Sequence, residues 1–184
     1  MSIRDTTTKE IVYKCFQDLL NEKPLNKISV QDILNKSDIC RSTFYRHFND
    51  KYDLMNWFYQ YHVEQLYNNG KLFSDVQLET MKFYYQNKRY FQKIFDFRGQ
   101  NSFRHFIYKE GVTLISGFIK RRVPMDTLSP DLVFSIKMYN YGAFEMVHEW
   151  LMGIIDMTPE EFNKQRINNM PQMLKDILLK SDSL

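Results

Sequence analysis

A chain of 184 residues, 43% of them hydrophobic, holds enough apolar material for one or two small domains with a real core. Its mean hydropathy is −0.49, and no run approaches the roughly 18 apolar residues that a membrane helix needs. The net charge of +3 is unevenly spread, with ten Lys or Arg against two acids in residues 82–122 but nine bases against eight acids in residues 1–55.

The polar start MSIRDTTTKE has no apolar stretch of the kind a secretory signal carries. Cys15 and Cys40, with no CxxC and no His-rich neighbourhood, suit a reduced cytoplasmic protein better than a disulfide scaffold or a zinc site. Thr7 and Glu10 have the spacing of a capping box, and behind them Ile11, Val12, Cys15, Phe16, Leu19 and Leu20 recur on one helical face. Asn21 to Pro24 end that helix. Ser29 with Asp32 starts a second helix with Val30, Ile33 and Leu34 as its buried stripe, and Ser37 and Asp38 form a turn. A third helix is predicted from about Arg41 to Phe48, and Asn49 or Asp50 caps a fourth that contains Leu54, Trp57, Phe58, Tyr61 and Leu66. Residues 68–75, NNGKLFSD, read as a hinge or loop. Further helices are predicted at about 75–86, 88–96, 102–122, 130–153 and 159–180, with strong starts at Ser129-Pro130 and Thr158-Pro159-Glu160-Glu161. Pro171 should kink or split the last of them. No stretch alternates as a strand does, so the fold class is all-α.

The third helix carries the chemistry. Phe44 and Phe48, four apart, share a face and should anchor it. Arg41, Ser42, Thr43, Tyr45, Arg46 and His47 then point outward, and each can donate a hydrogen bond. Arginine reads guanine in a fork, and hydroxyl side chains reach phosphates or bases. A capped helix, a tight turn and a short basic-aromatic helix within residues 29–51 form the layout of a helix-turn-helix. Bulk charge around it is nearly neutral, so contacts to phosphate would have to be few and well placed. The basic segment 82–122 is most simply a set of solvated helix faces, with an acidic partner or an anionic effector as the alternative.

Val30-Gln31-Asp32-Ile33, then Ser42-Thr43-Phe44-Tyr45-Arg46-His47-Phe48-Asn49-Asp50-Lys51 and Leu54, resemble the N-terminal signature of the TetR/AcrR family of transcriptional regulators. The resemblance implies a helix-turn-helix DNA-binding domain at 5–65, and an effector- or partner-binding and dimerisation domain at 70–184. It implies that Thr43, Tyr45 and His47 touch the DNA backbone or nearby bases, with Arg46 and Ser29 at the same face. Lys51 would hold a phosphate at a helix start, and Gln31, Arg41 and Ser42 would be the base readers. Its further implications are a homodimer, a near-palindromic double-stranded operator, and a small-molecule effector or protein co-regulator. The chain has Asp38 where many members have Gly in the turn. Asp tolerates the left-handed conformation better than most residues.

Residues 86–95, 144–151 and 158–162 are similar to a DhaS-like subgroup of that family, activators of dihydroxyacetone kinase operons. That similarity implies action through a kinase-like protein partner. Tyr84, Tyr85, Phe91, Phe103, Tyr108, Tyr139 and Phe144 are candidates for an aromatic effector pocket, or else plain core. His105 and His148, weighed with Glu145 and Glu149 as metal ligands, are not a helical i, i+4 histidine pair, so no metal and no cofactor are expected. Cys40 reads as a small buried thiol in the turn. No Gly-rich phosphate loop, GxSxG or Cys-His arrangement is present, so an enzyme is not expected. A helical protein-protein adaptor without a pocket is the alternative to a DNA-binding regulator. The helices at 131–155 and near 167–178 are apolar on two sides, which predicts a dimer contact between them and a second copy.

Overall fold

The computed structural model describes residues 3–68, 71–99, 101–123 and 127–179. Asn69 and Gly70 of the expected hinge, and the last residues of the expected regulatory domain, lie outside them. Regular structure among the described residues is entirely helical: α1 (Ile3–Glu22), a 3-10 turn (Leu25–Lys27), α2 (Val30–Ser37), α3 (Arg41–His47), α4 (Lys51–Asn68), α5 (Phe73–Gln86), α6 (Lys88–Phe95), α7 (Phe103–Arg122), α8 (Pro130–Met152), α9 (Pro159–Asn168) and α10 (Gln172–Leu178). No helix among them is long and apolar enough to cross a membrane.

Local sequence explains most boundaries. The Thr158 hydroxyl accepts from the Glu161 amide at 3.3 Å while the Glu161 carboxylate accepts from the Thr158 amide at 2.9 Å, the reciprocal box that starts α9. Ser129 caps α8 at the Leu132 amide, and Gly153, at φ 81°, ends it. Asp50 caps α4, its carboxylate accepting from the amides of Tyr52 and Asp53 at 2.8 Å each. Pro171 divides the expected last helix into α9 and α10. Two starts differ from expectation. Thr7 is not a cap, because α1 begins at Ile3 and nothing in Ile3-Arg4-Asp5-Thr6 breaks a helix. Likewise α5 begins at Phe73, whose wholly buried ring, with Val76, belongs to a core and draws the backbone into helix earlier.

The chain forms two compact units, Met1–His62 with Arg89–Phe103, and Val63–Lys88 with Arg104–Leu184. The first unit therefore includes α6. Its core is aromatic: Tyr13 stacks on Phe58 at 4.1 Å, Tyr90 meets both rings edge-on, and the Tyr90 hydroxyl donates to the Met55 carbonyl at 2.9 Å. Such pairs add to the area their rings bury. Lys93 Nζ donates to the Leu20 carbonyl at 2.7 Å and to Asn21 Oδ1 at 2.8 Å, which ties α6 to the carbonyl end of α1.

The second unit packs Phe73, Val76, Ile115, Phe118, Ile119, Leu132, Ile136, Met170, Leu174 and Leu178 into one cluster. Trp150 stacks on Phe162 at 4.5 Å and donates its indole N–H to the Met157 carbonyl at 2.8 Å. Arg166 reaches Gln77 on α5 at 3.0 Å. Where α7 crosses α8, Gly111 leaves no space for a side chain: a Cβ there would lie 2.1 Å from Asn140 Oδ1 and 2.7 Å from Phe144 Cε2.

Asp38 is the single described non-glycine residue with positive φ, at φ 53° and ψ 36°. The left-handed conformation costs an ordinary L-residue roughly 1–2 kcal/mol. Asp38→Val should lower the unfolding free energy by about that amount, and Asp38→Gly should leave it unchanged or raised. Chemical denaturation of the three proteins side by side checks the order.

Candidate nucleic-acid interface

The reading helix is built from its supports upward. Ser29 caps α2: its hydroxyl accepts from the Asp32 amide at 3.1 Å, and Asp32 Oδ2 accepts from the Ser29 amide and hydroxyl at 2.7 Å each. Lys23 pairs with the same oxygen at 2.9 Å. The Ser29 amide first, then Lys23 and the Ser29 hydroxyl, hold this carboxyl far below the usual carboxylate range. Ser37 closes the helix by donating to the Ile33 carbonyl at 2.7 Å, and Asp38 makes the turn. Phe44 and Phe48 then seat α3, both buried, with ring centroids 5.7 Å apart.

With that face held, Arg41, Ser42, Tyr45 and Arg46 are exposed, and Thr43 and His47 are partly so. Arg41 is oriented: its guanidinium donates to Gln31 Oε1 on α2 at 3.0 Å and lies 6.0 Å from the Tyr45 ring. Gln31 in turn donates to Asn35 Oδ1 at 2.8 Å. The residues expected to read bases, Gln31, Arg41 and Ser42, are thus brought to one exposed surface with Tyr45 and Arg46. Lys51 is placed differently from a free surface cation. Its ammonium donates to the carbonyls of Leu25 at 2.9 Å and Ile28 at 2.5 Å, tying α4 to the 3-10 turn before α2. Burial pulls this ammonium below its ordinary value. Two of its three N–H groups are engaged by these carbonyls. Ser29 is exposed but committed to its cap.

The charges behind this surface are largely paired among themselves. Besides Lys23 with Asp32, Lys36 meets Glu22 at 2.7 Å. α3 has no acidic residue, so Arg41 and Arg46 set the sign of its face.

Cys40 corrects an expectation. It is exposed, not buried, because it occupies the position just ahead of α3, where the side chain turns out beside the first helical residues. Its sulfur lies within hydrogen-bond distance of Ser42 Oγ at 3.2 Å and Thr43 Oγ1 at 3.0 Å. Those two hydroxyls, with the Thr43 amide, bring the thiol down to about 7. Sequence pattern does not show this, since the same residue fits a buried turn equally well.

The expected aromatic effector residues do not gather in one described cavity. Phe91 and Phe103 pack together in the first unit, ring centroids 5.7 Å apart. Tyr84, Tyr85, Tyr108, Tyr139 and Phe144 belong to the second. Of the seven, Tyr139 alone lines the groove of about 480 Å³ between α8 and α9, with Met138, Ala143, Met146, Phe162 and Arg166. Tyr84, Phe91 and Phe103 are wholly buried.

Alkylation requires the thiolate, so the iodoacetamide rate at Cys40 should rise through a midpoint near pH 7. Cys15, raised by burial and by Asp18, should react more slowly at that pH and titrate higher. Peptide mapping after timed alkylation distinguishes the two.

Residues 73–172, just over half the chain, match a TetR C-terminal family described as a transcriptional regulator C-terminal region. The HTH-type dhaKLM operon transcriptional activator DhaS of Lactococcus lactis subsp. lactis (strain IL1403) is 29% identical over 115 residues. That match covers 61% of this chain and 60% of the relative, so the chain spans about three-fifths of the length of that curated protein. Among solved structures, the dihydroxyacetone kinase operon activator DhaS superposes with a TM-score of 0.66 at 22% identity, covering 93% of this chain and 98% of that one. A TetR transcriptional regulator from Streptococcus agalactiae 2603V gives 0.64 at 22% identity, over 92% and 96%. These two likenesses speak for the fold. By the family match over residues 73–172, the chain belongs to the TetR family of transcriptional regulators.

Proposed function

We propose that the chain is a sequence-specific DNA-binding regulator that acts as a homodimer, one α3 to each half-site of a near-palindromic operator. The observation that carries this reading is the face of α3: a row of exposed hydrogen-bond donors, seated by two buried phenylalanines, behind a left-handed turn. Arg41, with Gln31 and Ser42, reads bases. Thr43, Tyr45 and His47 contact the backbone or nearby bases with Arg46 beside them, and Lys51 holds a phosphate at its helix start. The DNA-binding domain spans 5–65, and the segment 70–184 dimerises and receives an effector or a protein co-regulator. The relative's role as an operon activator favours activation over repression.

The dimer reading rests on α8. Phe134 is 65% exposed and Met138 61%, and Met146 is exposed on the same stripe. Gly142 lies between them at the same four-residue spacing, with nothing within 4 Å of an added Cβ. Large apolar side chains in such a row are costly to leave in water, and a second α8 would cover them. An effector that prefers one arrangement of the two reading heads shifts the population by its differential affinity alone.

Arg41→Ala should cost about 1–3 kcal/mol on the operator and relax preference at one base position, leaving random DNA little changed. Lys51→Ala should weaken all sequences alike and reduce the salt slope by about one unit. It should also lower thermal stability, because the Leu25 and Ile28 carbonyls lose their donor. Gel shifts at several salt concentrations, on DNA upstream of the chain's own gene and on a scrambled control, test both variants. Equal loss on both DNAs for Arg41→Ala would remove its base-reading role. Met138→Glu should turn a micromolar dimer into a monomer in sedimentation velocity.

A further inference from the structure

Arg41 does not stand alone on its face. Its guanidinium Nη2 donates to Gln31 Oε1 on α2 at 3.0 Å, and the ring of Tyr45, one turn along α3, lies 6.0 Å from it. Gln31 Nε2 in turn donates to Asn35 Oδ1 at 2.8 Å, one turn further along α2. Arg41, Gln31 and Asn35 are all exposed, so they make a continuous surface row that crosses from one helix to the other. Gln31 and Asn35 have the i, i+4 spacing at which side chains on a helix meet.

The row has a direction. A guanidinium can only donate, so Gln31 has to turn its carbonyl oxygen to Arg41 and its amino group away. The amino group also only donates, so Asn35 has to meet it with Oδ1. A terminal amide rotates easily about its last bond. Reversed, the Gln31 amide would set N–H against N–H and release the arginine. The acceptor at residue 35 is what the amino group forfeits by reversing. An arginine already held by an acceptor on one side and a ring on the other gives up less rotamer freedom when it meets a base. In open water these bonds are weak. A duplex closing over the row removes competing water and strengthens each of them.

We propose that Asn35 is a positioning residue: without touching a base, it holds the Gln31 amide in the orientation that aims Arg41, and so sets how strictly the base opposite Arg41 is read. The proposal rests on the reading of Arg41 as a base reader, and it adds a residue which that reading does not include.

The test is site selection from a random duplex library with the full chain, followed by gel shifts on the selected site and a scrambled one. Alanine is the better helix former, so Asn35→Ala should leave α2 intact. It should lower the ratio of selected to scrambled binding roughly fivefold, the worth of about one hydrogen bond. The tolerance should appear at the same base position that Arg41→Ala relaxes. Asn35→Asp keeps an acceptor toward Gln31, so it should select as the parent does while its charge weakens both duplexes alike. In an Arg41→Ala background, Asn35→Ala should lower the ratio no further. In the nitrogen-15-labelled chain without DNA, the Arg41 Nε–H signal, assigned by its loss in Arg41→Lys, should move in Asn35→Ala. An unmoved signal overturns the proposal. So does an equal loss on both duplexes, a relaxed position other than that of Arg41, or an undiminished loss in the Arg41→Ala background. If Arg41→Ala relaxes the preference and Asn35→Ala does not, this proposal alone fails. If Arg41→Ala leaves the preference unchanged, the base-reading role fails and takes the proposal with it.

Discussion

A seven-residue helix cannot sustain itself in water, because nucleation costs more than two turns of hydrogen bonds return. α3 is such a helix, and the architecture of the first unit follows from holding it still. Phe44 and Phe48 bury its inner face, Asp38 sets its direction through a conformation that few residues accept, and Ser29 with Asp32 fixes the start of the helix it turns from. Lys51 then secures the segment ahead of α2 by two carbonyl bonds. Each support lies on a different element, so the outward residues inherit their order from the whole unit and not from helix propensity.

The charges follow the same logic. Lys23, Lys36 and Lys93 are spent inside the first unit, on Asp32, on Glu22 or on a backbone carbonyl at a helix end, and Lys51 gives two of its three N–H groups to carbonyls there. What remains on the α3 face is two arginines and a group of neutral donors. A surface of that kind attracts polyanions weakly at long range and discriminates at short range, since direction-dependent bonds dominate over field. The near-neutral composition of residues 1–55 is therefore consistent with a specific reader and is not a deficit.

How much of this was legible in the sequence depended on the range of each interaction. The boxes at Ser29 and Thr158, the cap at Ser129, the split at Pro171 and the anchoring pair Phe44 and Phe48 were readable because both partners lie within four residues. Lys51 binding the Leu25 carbonyl and Lys93 binding the Leu20 carbonyl were not, since 26 and 73 residues separate the partners and a lysine carries no mark of its acceptor. Thr7 shows the opposite failure: a local motif with the right spacing was overridden because the segment before it is also helix-compatible. Cys40 was misplaced for want of a register, as one residue decides whether a turn side chain faces in or out. The aromatic set could be recognised as buried, but its division between two units depends on α6 returning to the first, and no periodicity encodes that return.

Gly111 has a consequence for how the second unit can respond to anything bound to it. With the α7 backbone pressed directly against Asn140 and Phe144, the two helices have one register. Sliding either by a single turn would drive a side chain into that contact. At this crossing α7 and α8 are therefore held in register, and a change that moves one of them has to carry the other with it or open the contact.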